Sequence, residues 1–183
     1  QEGVIVALTK SGYIKRMAAG TFKSQRRGGK GVTGMSVKET DNIRLLTNAN
    51  THDALLVFTN KGKVFSLKVW ELPEGSRTSK GQAIINLINI DPDEKIQSIL
   101  PLSRKESDIK DSYLFFTTRQ GTVKRTLLSE YQNIKSNGLI AINLSKNDSL
   151  VWVNQTTGNH HILLVTRDGK SIRFRSEEHT SEL

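Results

Sequence analysis

Apolar and polar positions alternate over short stretches of this chain, and one arrangement of them recurs. An apolar run, a threonine, two polar residues and a glycine lead into a second apolar or basic run. The first copy is Ala7-Leu8-Thr9-Lys10-Ser11-Gly12-Tyr13-Ile14-Lys15-Arg16, and the second is Val57-Phe58-Thr59-Asn60-Lys61-Gly62-Lys63-Val64-Phe65. The third is Phe116-Thr117-Thr118-Arg119-Gln120-Gly121-Thr122-Val123-Lys124-Arg125, and the fourth is Leu164-Val165-Thr166-Arg167-Asp168-Gly169-Lys170-Ser171-Ile172-Arg173. The glycines stand 50, 59 and 48 positions apart. Each copy predicts a hairpin: a strand, a tight turn with glycine at the positive-φ position, and a return strand.

Two further elements follow the first three hairpins. One reads Gly31-Val32-Thr33-Gly34-Met35-Ser36-Val37, then Gly81-Gln82-Ala83-Ile84-Ile85-Asn86-Leu87, then Gly138-Leu139-Ile140-Ala141-Ile142-Asn143-Leu144, at offsets of 19, 19 and 17 from the turn glycine. The other opens at Asp41, Glu94 and Asp148 and runs into short apolar blocks. Such blocks suit half-buried strands. Units of about fifty residues with about four strands each predict an all-β, propeller-like fold. Unrelated strands of a sandwich would leave the matching offsets unexplained. The units fall at residues 3–50, 51–108, 109–158 and a partial 159–174, about three and a half blades. The polar stretch 102–110 is expected to be an insertion between strands of one blade, which accounts for the longer spacing.

Charge narrows the partners. The 183 residues carry a net charge of +9, with 36% hydrophobic and 6% aromatic residues. Such a balance favours nucleic acid or another anionic surface. There is no cysteine, so disulfides and thiolate metal sites are excluded. No apolar run reaches the length of a membrane span. Residues 175–183 match the frame translation of a common sequencing adapter and are set aside; without them the net charge is +11. No signal peptide or initiator methionine opens the chain, which reads as a piece of something longer.

The positive charge concentrates early. No acidic residue lies between Lys10 and Lys38, and within that stretch Gln25-Arg26-Arg27-Gly28-Gly29-Lys30-Gly31 packs three cations among three glycines. Glycines let a backbone fold closely around a ligand. Arginine supplies a forked charge for phosphate and lysine a point charge. The plain alternative is a solvated basic turn.

These seven residues, in the first unit of such a repeat, resemble the signature box of the gyrase A C-terminal domain, from the type IIA DNA topoisomerase family that includes DNA gyrase. The resemblance extends over residues 3–174, through Asn50-Thr51-His52-Asp53, Trp70-Glu71-Leu72-Pro73-Glu74 with Arg77 and Lys80-Gly81, and the later hairpins. It implies a β-pinwheel, a six-bladed propeller relative whose blades exchange strands. This chain would then be a truncated part of that ring. It also implies that double-stranded DNA wraps the outer rim, enabling ATP-dependent introduction of negative supercoils by a holoenzyme of two A and two B subunits in the bacterial cytoplasm, at the nucleoid. ATP and Mg would belong to other parts of that holoenzyme, leaving this stretch with no cofactor and no metal. The related topoisomerase IV domain is the nearest alternative, and its box is usually degraded. A protein-binding propeller is the other.

The expected DNA contacts are the box, residues 25–31, and a basic rim of Lys10, Lys15, Arg16, Lys23, Lys61, Lys63, Lys68, Arg77, Lys80, Arg119, Lys124, Arg125, Arg167, Lys170 and Arg173. Some of these cations could instead solvate exposed strand edges. No catalytic set is expected. Tyr13, Tyr113 and Tyr131 lie in or beside strand-like runs and read as packing, as do Trp70 and Trp152. His160-His161 lacks companions at ligand spacing and reads as a surface loop.

Overall fold

All four hairpins form in the computed structural model, which describes residues 2–20, 43–157, 161–165 and 171–175. In chain order the strands are β1 (Gly3–Thr9), β2 (Tyr13–Ala18), β3 (Ile43–Asn50), β4 (Ala54–Thr59), β5 (Lys63–Lys68), β6 (Gln82–Ala83), β7 (Ile96–Leu102), β8 (Ser112–Thr118), β9 (Val123–Leu127), β10 (Leu139–Ile140), β11 (Leu150–Thr157), β12 (His161–Val165) and β13 (Ser171–Arg175). One helical turn, α1 (Glu106–Ile109), lies between β7 and β8.

The recurring threonine and glycine build the turns. Gly12, Gly62 and Gly121 adopt φ of +89°, +83° and +93°. Each donates its N–H to the carbonyl of the threonine three residues earlier, Thr9, Thr59 or Thr118, at 3.0 to 3.1 Å. The same threonine hydroxyl accepts the N–H of the residue after the glycine: Tyr13 at 3.1 Å, Lys63 at 3.4 Å and Thr122 at 3.0 Å. All three threonines are buried. An acidic residue at the start of the closing strand completes the turn. The Thr59 hydroxyl donates to the Glu94 carboxylate. Asp148 accepts the N–H groups of Gln120 at 2.9 Å and Ser149 at 2.8 Å. Burial raises the Asp148 pKa, but hydrogen bonds from the Thr118 hydroxyl and those two amides outweigh it and hold the carboxyl below the usual carboxylate range.

Strands cross from unit to unit. The first sheet runs β3-β1-β2-β6 and the second β10-β5-β4-β7, so each takes its outermost strand from the next repeat. The third holds β11-β8-β9, and β12 pairs with β13. Thus Gln82-Ala83, within the second repeat, complete the first sheet, and Leu139-Ile140 complete the second. This is the strand exchange expected of a β-pinwheel. Gly81 and Gly138 launch the exchanged strands at φ of +85° and +82°. A side chain at Gly81 would strike the Ile14 carbonyl, and one at Gly138 the Phe65 ring.

Alternation along β4 divides the core in two. Leu55 and Val57 face the first sheet, joining Val4, Val6, Leu8 and Ile14. Leu56 and Phe58 face the third sheet, joining Leu114, Phe116 and Tyr131. Phe58, Phe116 and Tyr131 form an edge-on cluster with centroids 5.6 to 6.4 Å apart. Each such buried side chain contributes roughly 1.5–3 kcal/mol, so the stacking of sheets holds the array together.

The stretch 102–110 corrects one expectation. It joins the second sheet to the third instead of interrupting one blade, because β7 belongs to the second sheet and β8 to the third. Its polar sequence is anchored at both ends: Leu102 closes β7 and α1 ends on Ile109, both buried in the second core.

Two outcomes follow from these turns. Gly121 has open space around it, so Gly121→Ala should cost only the left-handed strain, about 1–2 kcal/mol. Gly138→Ala adds a clash with the Phe65 ring and should cost at least about 3 kcal/mol by urea unfolding; equal losses would refute the exchanged-strand packing. Asp148 has a lowered folded pKa, so its stabilisation is present above the unfolded value of 3.8 and lost as pH falls through the folded one. The wild type should therefore lose more stability between about pH 5 and pH 2 than Asp148→Asn, in parallel denaturant titrations.

Candidate nucleic-acid interface

The turns set one exposed cation at each of the first three hairpin tips. Lys10, Lys61 and Arg119 occupy the two central positions of equivalent Thr-x-x-Gly turns, and all are exposed. The tips are tied down behind them. Asn60 N–H donates to the Lys95 carbonyl at 2.9 Å, and Arg119 N–H donates to the Ser149 carbonyl at 2.8 Å. The charges therefore repeat from sheet to sheet on a fixed backbone.

Not all of this charge is available. Lys61 bridges Asp93 at 2.8 Å and Asp91 at 3.3 Å, and the hydrogen bond it donates to Asp93 holds its ammonium pKa above the ordinary value. Two carboxylates thus offset that tip. Arg16 donates Nε–H to the Leu72 carbonyl at 3.0 Å and lies 3.9 Å from the Glu74 carboxylate. The Lys124 ammonium donates to the Ala141 carbonyl at 2.9 Å, and the Lys124 and Lys63 side chains are half-buried.

Lys15 corrects the rim expectation outright. It is 3% exposed, and its ammonium donates to the carbonyls of Ser76 and Arg77 at 2.9 Å and Ser79 at 2.6 Å. Lys15 lies on the strand face of buried Met17 and Arg16 on the opposite face, with buried Ile14; the carbonyls of Ser76, Arg77 and Ser79 enclose the Lys15 ammonium.

The exposed members are Lys10, Lys61, Lys68, Arg77, Lys80 and Arg119. Cations lie over aromatic rings along the array: Lys80 over Tyr13 at 4.4 Å, Arg125 over Tyr113 at 4.4 Å, and Lys68 over Trp70 at 5.5 Å. Such contacts hold a flexible cation at the surface for roughly 0.5–1 kcal/mol. The box, residues 25–31, lies outside the described residues, as do Lys23, Arg167 and Lys170. Arg173 is on β13, whose backbone alone is described.

The tyrosines divide. Tyr131 is packing, as expected: it is 2% exposed, and burial pushes its phenol pKa up. Tyr13 and Tyr113 are half-buried supports for cations. Trp70 and Trp152 lie at the surface, 51% and 39% exposed, with Trp152 packed edge-on to Phe115. Sequence reasoning misses Arg104. It lines a cleft with Thr51, His52 and Trp70, residues brought together only by the fold. Among the described residues, no group of three His, Asp or Glu side chains is placed to hold a metal ion.

Known proteins share this architecture. The sequence profile of the DNA gyrase C-terminal domain, beta-propeller, matches residues 4–46, 53–103, 112–157 and 160–178. The A subunit of DNA gyrase from Halalkalibacterium halodurans is 46% identical over 178 residues, which cover 97% of this chain and 21% of that protein. The A subunit of DNA gyrase from Streptococcus pneumoniae serotype 4 is 46% identical over 174 residues, 95% of this chain and 21% of that protein. The chain thus spans about one fifth of the length of these curated relatives. Among solved structures, the C-terminal domain of DNA topoisomerase IV superimposes with a TM-score of 0.72 at 36% identity, covering 96% of this chain and 52% of that one. The DNA gyrase A C-terminal domain superimposes with a TM-score of 0.68 at 28% identity, covering 99% of this chain and 58% of that one. With its repeated hairpins, exchanged outer strands and intact glycine-rich basic box, the chain belongs to the DNA gyrase C-terminal domain family of β-propellers.

Proposed function

We propose that this chain is the duplex-wrapping module of a DNA gyrase. The observation that carries the reading is the recurrence of an exposed cation within the Thr-x-x-Gly turn of each of the first three hairpins, Lys10, Lys61 and Arg119, on successive sheets. A polyanion with charge at regular intervals is matched by a regular series of cations. Such contacts release counterions and bind largely without regard to base sequence. Bending duplex over 20–30 base pairs costs on the order of several kcal/mol, which one loop cannot offset but a series can. Arg26, Arg27 and Lys30 would anchor one end of the path and set its hand. Lys10, Lys68, Arg77, Lys80, Arg119 and the further rim cations would carry it onward.

The wider activity follows the same reading. Chiral wrapping would bias strand passage toward negative supercoils. A tyrosine-bearing cleavage domain would lie elsewhere in the gyrase A polypeptide, and ATP hydrolysis in gyrase B. The assembly would hold two of each, at the nucleoid of a bacterial cytoplasm. A second reading, the DNA-crossing role of a topoisomerase IV domain, draws support from the structural likeness to that enzyme's C-terminal domain. The intact box favours gyrase.

The two readings separate by topology. Ligating a nicked plasmid in the presence of the chain should shift its linking number in one direction. Arg26→Ala/Arg27→Ala should abolish that shift while lowering duplex affinity only modestly. No shift with the wild type would reject wrapping, and an unaltered shift with the variant would reject the anchor. A second outcome concerns Lys61. Asp91→Asn/Asp93→Asn removes the two carboxylates that bridge it, so the salt dependence of duplex binding should steepen by about one unit of log K per log salt.

A further inference from the structure

The loop 75–81 stands in the register of the box. Gly81 follows its turn glycine by 19 residues, as Gly31 follows Gly12. Gly75-Ser76-Arg77-Thr78-Ser79-Lys80-Gly81 therefore aligns with Gln25-Arg26-Arg27-Gly28-Gly29-Lys30-Gly31, with Arg77 in the place of Arg27 and Lys80 in that of Lys30. In the third repeat, ending on Gly138, the same places hold Ile134 and Asn137.

This loop is built onto the preceding sheet. Arg16 N–H donates to the Pro73 carbonyl at 2.9 Å, and Gly75 N–H donates to the Arg16 carbonyl at 3.0 Å. Ser79 Oγ donates to the Ser76 carbonyl at 2.9 Å. At the centre lies Lys15, whose three N–H donors match three inward-turned carbonyls. Backbone oxygens that would repel an anion are thus drawn to the inner side and neutralised there. Arg77 and Lys80 stay exposed on the outer side, Lys80 steadied over the Tyr13 ring. In the second sheet the position equivalent to Lys15 is Phe65, which lies against Gly138. At the first sheet the buried lysine thus accompanies the doubly cationic loop, and at the second both are absent.

We propose that Lys15 is a positioning residue: from inside one sheet it shapes the 75–81 loop of the next repeat into a second phosphate grip, made by Arg77 and Lys80. This rests on the duplex-binding reading above. Lys15 itself does not touch DNA.

Salt titration of binding to a random-sequence duplex tests it, with far-UV circular dichroism as the folding control. Lys15→Met and Arg77→Ala/Lys80→Ala should each reduce the steepness of log K against log salt by about two units, and the triple variant should fall no further than either. A purely structural lysine would lower thermal stability and leave the slope unchanged, which would overturn the proposal. So would additive losses in the triple variant, or an unchanged slope in Arg77→Ala/Lys80→Ala. If Lys15→Met does not fold, Lys15→Gln, which keeps two donors, takes its place with a loss of about one unit expected, and an unchanged slope again overturns the proposal. A wild-type chain without salt-dependent duplex affinity would remove the function reading and this inference together. Wild-type binding with an unaffected Lys15 variant would remove this inference alone.

Discussion

Everything in this molecule depends on a loan of backbone between neighbours. Each of the first two sheets lacks an outermost strand of its own and takes it from the following repeat. The borrowed strand is only two residues long, so its ladder contributes little by itself. Its hold comes from what surrounds it. A left-handed glycine brings the backbone in against the partner strand, and the residues that follow are tied to the previous turn. Ile84 N–H donates to the Gly12 carbonyl at 2.9 Å, and Ala141 N–H donates to the Gly62 carbonyl at 2.8 Å. Both then run into side chains of the shared cores, Ile84 in the first and Ala141 and Ile142 in the second.

This arrangement also places the charge. The segment that reaches back from one repeat to the next must cross the outer edge of the earlier sheet, and there it meets the return strand of the hairpin. Lys15, Arg16 and Lys80 meet the neighbouring unit in this crossing. Structural and ligand-directed cations are thus neighbours in sequence and opposite in role. Some are held by backbone carbonyls or paired with carboxylates, while others remain on the surface, held over aromatic rings. The net charge of +9 therefore overstates what any partner meets at a single point and understates how evenly the remainder recurs.

The hairpins are legible in the sequence because their chemistry is local. A threonine that caps the turn and a glycine at positive φ leave a signature four residues long; its four copies, with a second glycine-led element at matching offsets after the first three, expose the repeat. Strand exchange is not legible from the residues and enters only through family resemblance, since two-residue strands such as Gln82-Ala83 carry no periodicity. The site is harder to read. Adjacency groups Lys15 with Arg16, although strand alternation puts the two on opposite faces; with Ile14 buried on one face and Met17 on the other, the burial of Lys15 emerges only when the 76–79 carbonyls close over it. The pairing of Lys61 with Asp91 and Asp93 spans about thirty residues, and Arg104 lines one cleft with Trp70 from a distant part of the sequence, arrangements that exist only after folding. The stretch 102–110 resembles an insertion because its composition is polar between Leu102 and Ile109, the two residues that anchor it.

The central claim is that borrowed strands weld successive sheets into one cooperative body. Native-state amide hydrogen exchange measures this directly. The amides of Ile84, Ala141 and Ile142 should be protected to within about tenfold of Val6 and Val57 at the centres of β1 and β4, because opening any of them requires unfolding the array. Protection near that of exposed loop amides, with Val6 and Val57 still slow, would show that the exchanged segments come away alone and would contradict the account.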